Sequence, residues 1–190
     1  GGVKIANVIR YNDEYLNNYY RTQLSEQSKL GQQLDGLGDL ASILNDLEGT
    51  GIDGALSDFY EALNNLNEYP ASSTARINFI ETAKTLTSTM NSKYQQLQEN
   101  TTKALGDGVS QESLENSKIY VQYRELNNKL EELASVNKAL ITTQTGTLEA
   151  NNLLDKRDLI LNEIAEFTDI KVVEKHNGAV NLYIGDTAVV

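Results

Sequence analysis

Ile119-Tyr-Val-Gln-Tyr123-Arg-Glu-Leu126-Asn-Asn-Lys-Leu130-Glu-Glu-Leu133-Ala-Ser-Val-Asn137-Lys-Ala-Leu140 is the stretch that decides the fold class. Ile119, Tyr123, Leu126, Leu130, Leu133, Asn137 and Leu140 alternate four and three residues apart without a slip. A chain turning every ~3.6 residues brings such positions onto one stripe, so the segment is predicted to be a helix with a coiled-coil-type seam over about three heptads. One seam position is polar. Asn137 has two readings: a seam Asn that fixes register at a cost in stability, or a residue at a frayed helix end beside Thr142-Thr143.

The same period runs through the upstream half. Between Tyr15 and Leu47 the apolar residues Leu16, Tyr20, Leu24, Leu30, Leu34, Leu37, Ala41, Leu44 and Leu47 predict one long amphipathic helix, about 50 Å at 1.5 Å per residue. Gly31, Gly36 and Gly38 lie inside it, each costing about 1 kcal/mol relative to Ala, and read as places of close helix approach or a kink. Glu48-Gly-Thr-Gly-Ile-Asp53-Gly54 is a break, after which Asp53 is placed to cap a second helix bearing Leu56, Phe59, Tyr60, Leu63 and Leu66. Pro70 ends that element. Ser72 or Ser73 then caps a third helix whose stripe is Ile77, Ile80, Ala83, Thr87, Met90, Tyr94 and Leu97, and Gly106-Asp107-Gly108 interrupts or loosens the run.

Downstream of the seam a Thr-rich loop, Ile141 to Ala150, leads to Asn152 and Asp155, a pair spaced to cap a fifth helix with Leu153, Leu154, Ile160, Leu161, Ile164 and Phe167 as its stripe. After Thr168 the period changes to two. Ile170–Lys175 and Ala179–Ile184 flank Asn177-Gly178, the composition of a type I′ hairpin, with Val173, Val180, Leu182 and Ile184 expected on one face. Val3 to Val8 also reads as a strand that could join this hairpin. The expectation is a mainly α chain: an elongated bundle of long amphipathic helices over residues 1–168, with an N-terminal strand at 3–9, and a β-hairpin at 169–190 opening a further β-rich region.

Composition narrows function. The 190 residues carry 27 acidic against 16 basic side chains, a net charge of −11, one His and no Cys or Trp. This balance argues against a phosphate-backbone binder, which needs clustered Lys and Arg. Without Cys there is no disulfide, thiol nucleophile or Cys-ligated zinc, and one His cannot supply a two-imidazole site. Eight carboxylates and no Lys or Arg fall between Leu30 and Ala75, which reads as a solvated helix face or, more sharply, as an anionic patch for a basic partner or calcium; the register of a calcium loop is missing there and at Gly106–Gly108. No run of ~18 apolar residues is present for a membrane span. The first residues lack Met and the order of a secretory signal, so the chain is expected to be a processed product or an excised fragment.

Several motifs resemble chemistry without its context. Gly49-Thr-Gly51-Ile-Asp53-Gly54 spells G-x-G-x-x-G, but a helix precedes it where a dinucleotide site needs a strand, and Asp53 stands where phosphates would lie. His176 adjoins a loop tip, without an orienting partner in sequence. Asp155 and Asp158 are expected in the first turn of the fifth helix, where acids complement the macrodipole. Asn100-Thr-Thr102 fits a glycosylation sequon but lies mid-helix, and the ten tyrosines fall mostly on or beside helix stripes, as core or interface residues. No catalytic, cofactor-binding or metal-ligating residue is expected.

Asn151-Asn152-Leu153-Leu154-Asp155-Lys156-Arg157-Asp158 resembles the N-[DN]-L-L-D-x-R-D signature of the flagellar hook-associated protein 1 family, the first hook–filament junction protein. It follows a helix ending in Leu133-Ala-Ser-Val-Asn137 and precedes an apolar helix and a strand, as in that family. Gly2-Val3-Lys-Ile5, Val8-Ile-Arg10, Asp13-Glu-Tyr15-Leu16 and Arg21 resemble the family's entry to its first long helix, and Pro70 to Arg76 its P-x-x-x-x-x-R helix start. Gly106 to Gln111 has the look of an insertion. Asn152, Leu153, Leu154, Asp155, Arg157 and Asp158 are thereby marked as signature residues of structural type.

The resemblance implies a non-enzymatic, extracellular subunit of the flagellum that joins hook to filament, exported by the flagellar type III apparatus without a cleaved signal. It implies as partners the hook protein, the second junction protein, copies of itself and an export chaperone, with neither nucleic acid nor membrane insertion. The polymerising terminal helices would lie outside this stretch, so the fragment is expected to be monomeric. The alternatives are another axial protein, flagellin-like or the second junction protein, or a generic intracellular helical adaptor using the Leu126–Leu140 seam.

Overall fold

A computed structural model of the chain describes residues 12–44 and 51–190. The expected strand at 3–9 and the first residues of the Gly49–Gly54 loop lie outside the described residues. Among those described, six helices are followed by a small sheet: α1 (Glu14–Leu44), α2 (Ile52–Glu68), α3 (Ser73–Leu105), α4 (Gln111–Glu115), α5 (Lys118–Thr142), α6 (Leu148–Ala165), β1 (Lys171–Glu174), β2 (Val180–Ile184) and β3 (Thr187–Ala188). The sheet is antiparallel in the order β1-β2-β3. The chain is mainly α with a small C-terminal β element, as the periodicity predicted.

Side chains at the helix starts satisfy amide groups that the helix itself cannot. Ser72 caps α3 by accepting the Ala75 N–H at 3.2 Å. Arg76 reaches back to the carbonyls of Pro70 (3.0 Å) and Ala71 (3.4 Å), which accounts physically for the Pro-to-Arg spacing. Two expected caps are displaced. The residue before α2 is Gly51, which makes no side-chain cap, and Asp53 sits in the first turn instead, where its charge favours the helix N-terminus. α6 starts a turn earlier than expected, because Thr147 accepts the Ala150 N–H at 3.2 Å; Asn152, Asp155 and Asp158 are interior helix residues.

The break at Gly106 is real. Gly106 closes α3 at φ +83°, and a Cβ there would stand 3.0 Å from the Leu114 backbone. Asp107 then accepts the N–H groups of Val109 (2.9 Å) and Ser110 (2.8 Å), and these amides hold its carboxyl below the usual carboxylate range. Ser110 caps the short α4 by accepting the Ser113 N–H at 3.1 Å.

The described residues fall into two compact units, one of residues up to Leu34 with Ile119–Val190, the other from Asp35 to Lys118. In the second unit α2 packs on α3 through small residues and one aromatic pair. Ala55, Ala62 and Ala75 are buried and the rings of Phe59 and Phe79 lie 5.2 Å apart. Alanines let the two backbones approach, and this chooses the inward faces. Most of the predicted α3 stripe is turned outward, with Ile77, Ile80, Met90 and Tyr94 all at least half exposed, while Ala83 and Leu97 of that stripe are half-buried.

The core of the first unit joins Leu133, Val136 and Leu140 of α5, Ile160, Leu161 and Ile164 of α6, and Val180 and Leu182 of β2, with Leu126, Leu130, Leu153 and Leu154 packed around them. The seam of α5 therefore faces its own chain, apart from Ile119 and Tyr123 at its start, which are exposed. Asn137 fills neither role expected of it. It lies within the helix, half-buried, and hydrogen-bonds the backbone of Val180 in β2.

β1 and β2 pair with Val172 opposite Leu182 and Glu174 opposite Val180. Val172 thus shares the buried face with Val180 and Leu182, and Val173 lies on the other face opposite Asn181, contrary to the expected set. The connection is a three-residue loop. Lys175 donates to the Ala179 carbonyl at 2.7 Å and Gly178 to the Lys175 carbonyl at 2.8 Å. A type I′ turn needs positive φ at both central residues; among the described residues only glycines have it, and Gly178 alone does so here.

Candidate functional site

Helical spacing explains what the signature segment does. Residues three and four apart on α6 share a face, so Leu154, Arg157, Asp158 and Leu161 line one side of the helix. Leu161 enters the core, while the three before it meet the hairpin turn and α1.

Arg157 is buried, with 1 % of its side chain exposed. Its Nη1 donates to the Gly178 carbonyl and lies 3.1 Å from Glu174 Oε1, and its Nε and Nη2 donate to Asp158 Oδ1 at 3.1 and 2.8 Å. The planar guanidinium thereby ties α6 to the end of β1 and to the loop after it. Burying such a charge is tolerable only where its donors are met, and here they are.

Asp158 faces a second guanidinium. Arg21, the one buried residue of α1, donates from Nη2 to the same Oδ1 at 3.2 Å and from Nε to Asn162 Oδ1 at 3.1 Å. Burial lowers the Arg21 pKa and Asp158 pulls it back up, the neighbouring Arg157 charge acting against it. A guanidinium stays protonated regardless, so one carboxylate oxygen lies between two fixed cations.

Leu154 completes the junction by shape. Gly178 has φ +83°, and a Cβ on it would stand 2.6 Å from Leu154 Cδ2. Glycine is thus needed at position 178 for two reasons, the left-handed backbone and the close approach of α6. Leu153 packs against the core, half-buried. Asn152 and Asp155 are exposed on α6. Along the α5–α6 contact, Lys129 pairs with Glu163 at 2.7 Å and Lys156 with Glu132 at 2.8 Å; Lys156 holds Glu132 below its ordinary range, and Glu163 raises Lys129.

Sequence reasoning marked Arg21 as part of a pattern without a role, and missed Asn162, Glu174 and Gly178 as partners. The signal that could have found them is the pairing of an Arg-Asp dipeptide on a helix with an Asn-Gly turn and a distant Arg. His176 is exposed in the hairpin loop, and no group of three or more His, Cys, Asp or Glu fit to hold a metal occurs among the described residues. No described helix is long and apolar enough to cross a membrane. Of the two expectations for the tyrosines, the core one fails at Tyr15, Tyr19, Tyr20, Tyr60, Tyr69, Tyr94 and Tyr123, all more than half exposed.

The fold and this junction define a helical structural domain, in which a charged cluster fastens a helix pair to a small sheet. The chain belongs to the family described as the flagellar hook-associated protein FlgK helical domain, whose model matches residues 37–190. It is 24 % identical over 177 residues to flagellar hook-associated protein 1 of Bacillus subtilis (strain 168), covering 93 % of this chain and 33 % of that protein. It is likewise 24 % identical over 187 residues to flagellar hook-associated protein 1 of Salmonella typhimurium, covering 95 % of this chain and 31 % of that one. The chain thus spans about a third of the length of the curated relatives it matches.

Proposed function

We propose that this chain is the helical domain of a structural subunit at the junction of flagellar hook and filament, with no catalytic activity of its own. The observation that carries the reading, beside family membership, is the orientation of α1. In the first unit its half-buried and buried residues are Asn17, Asn18, Arg21, Leu24, Ser25 and Ser28, polar but for Leu24, while Leu16, Tyr19, Tyr20 and Leu30 are exposed. Leu34, Leu37, Leu40 and Leu44 are exposed further along. A helix that gives its polar side to its own domain and its apolar side outward is built to pack against neighbouring subunits.

Those neighbours are the hook protein, the second junction protein and copies of the same subunit, with an export chaperone before assembly. Asn152, Leu153, Leu154, Asp155, Arg157 and Asp158 are structural in this reading: Leu154, Arg157 and Asp158 fix the hairpin and α1 on α6, Leu153 fills the core edge, and exposed Asn152 and Asp155 keep the outer face of α6 polar. The place of action is outside the cell, reached by flagellar type III export. The acidic balance, −11 overall, supports a protein rather than a nucleic-acid partner.

Fractionation tests the location. Antibody raised against this chain should detect the protein in flagella sheared from the cell and purified, at the hook-proximal end in immunogold images. Detection in the cytosol alone, with sheared flagella unlabelled, would contradict the proposal and favour an intracellular adaptor.

A further inference from the structure

Asn177-Gly178 is the only Asn-Gly pair in the sequence, and it carries a chemistry apart from its shape. Glycine has no Cβ, so its amide nitrogen reaches the side chain of the preceding residue without obstruction. In an Asn-Gly pair that nitrogen, once deprotonated, attacks the Asn carboxamide carbon. The new N–C bond closes a five-membered imide, and the carboxamide nitrogen leaves as ammonia, the proton lost by the amide returning to it through water. A water molecule then opens either carbonyl of the ring. The product is Asp, or its isomer in which the backbone runs through the side chain.

The hairpin restrains the groups that must move. Ring closure turns the peptide plane between Asn177 and Gly178 so that the nitrogen swings toward the side chain. Here the Gly178 N–H donates to the Lys175 carbonyl at 2.8 Å, and the Gly178 carbonyl accepts from Arg157 Nη1. The Asn177 carboxamide oxygen accepts the Ala179 N–H at 3.2 Å. Gly178 itself is buried against Leu154.

We propose that Asn177 is a site of spontaneous deamidation that the folded junction keeps closed, so that it reacts only while the loop is detached from Arg157 and Leu154. The isomerised product adds one backbone atom to a three-residue loop, which carries Gly178 away from both partners. A hairpin that has opened and reacted does not reseat fully. Each conversion is therefore a lasting mark of an opening.

The intact folded chain and a peptide of residues 171–184 are incubated at neutral pH, and mass spectrometry follows Asn177 in each. Deamidation in the chain should be slower by about tenfold or more, and nuclear magnetic resonance should show the Gly178 amide protected from hydrogen exchange by the same factor, because one opening admits both reactions. Arg157→Lys should raise both rates together. Chain converted while unfolded in urea, then returned to native buffer, should have a lower urea midpoint. Equal rates in chain and peptide, a slowing unmatched by the Gly178 amide, or a converted chain of unchanged midpoint would overturn the proposal.

Discussion

Asn137 of α5 holds both polar groups of the Val180 backbone: its Nδ2 donates to the Val180 carbonyl at 2.8 Å, and its Oδ1 accepts the Val180 N–H at 2.9 Å. Val180 lies in β2 beyond the residues paired with β3, and its side chain is buried in the core. The amide thus continues the ladder along a strand edge that is otherwise unpaired there among the described residues. A polar residue in an apolar seam is retained here by the sheet.

The first prediction separates this role from that of a coiled-coil register residue. Asn137→Leu should destabilise the protein by about 1–3 kcal/mol for each backbone group left without a partner, read as a lower urea midpoint. Were Asn137 a costly register residue, the same substitution would raise the midpoint.

Arg157→Met should cost about 1–3 kcal/mol, because the buried Gly178 carbonyl loses a donor and Asp158 one of its guanidinium partners, while Glu174, a third exposed, is compensated by water. Arg157→Lys should recover little of this, since one ammonium cannot span Asp158, Glu174 and Gly178 with the forked geometry of a guanidinium. Thermal unfolding of the three proteins checks the order.

Gly178→Ala meets two penalties, the left-handed φ of +83° and the contact with Leu154. Leu154→Ala relieves only the second. A double-mutant cycle by urea denaturation should therefore show the pair less destabilising than the sum, with a coupling of about 0.5–3 kcal/mol. Strict additivity would mean that backbone strain alone matters.

How much of this was legible in the sequence follows from the range of each interaction. The 3.6-residue period revealed the long helices, and Asn177-Gly178 the hairpin, because these depend on neighbours close in the chain. The inward face of α3 was not legible, since Ala55 and Ala62 of α2 select it by admitting close backbone approach, and alanine carries almost no hydropathy signal. The position of Val173 was misassigned because the register of β1 on β2 depends on a three-residue loop with an ordinary type of turn, not the tighter one its composition invites. Within the signature, Leu154, Arg157 and Asp158 owe their roles to Gly178, Glu174 and Arg21. Arg21 is 137 residues away from Asp158, and no local pattern encodes that pairing.

Acidification should weaken the protein in a definite window. Glu132 and Asp107 are held below their ordinary range, the first by Lys156 and the second by backbone amides, so folding binds fewer protons than the unfolded chain there. Their stabilisation is present above the ordinary carboxylate range and is lost as pH falls through the depressed values, below about pH 4. Lys129, raised by Glu163, has the opposite sign: its contribution is present below the ordinary lysine range and lost as pH rises through the raised value. Urea midpoints taken from pH 7 down to pH 3 should fall, and Glu132→Gln should make the fall shallower.

The proposed role makes the protein containing this domain necessary for joining filament to hook. Electron microscopy of cells lacking its gene tests this most directly. Such cells should carry hooks of normal form without filaments, and regain filaments when the intact gene is returned; filaments of ordinary number and length on the deleted strain would overturn the proposed role.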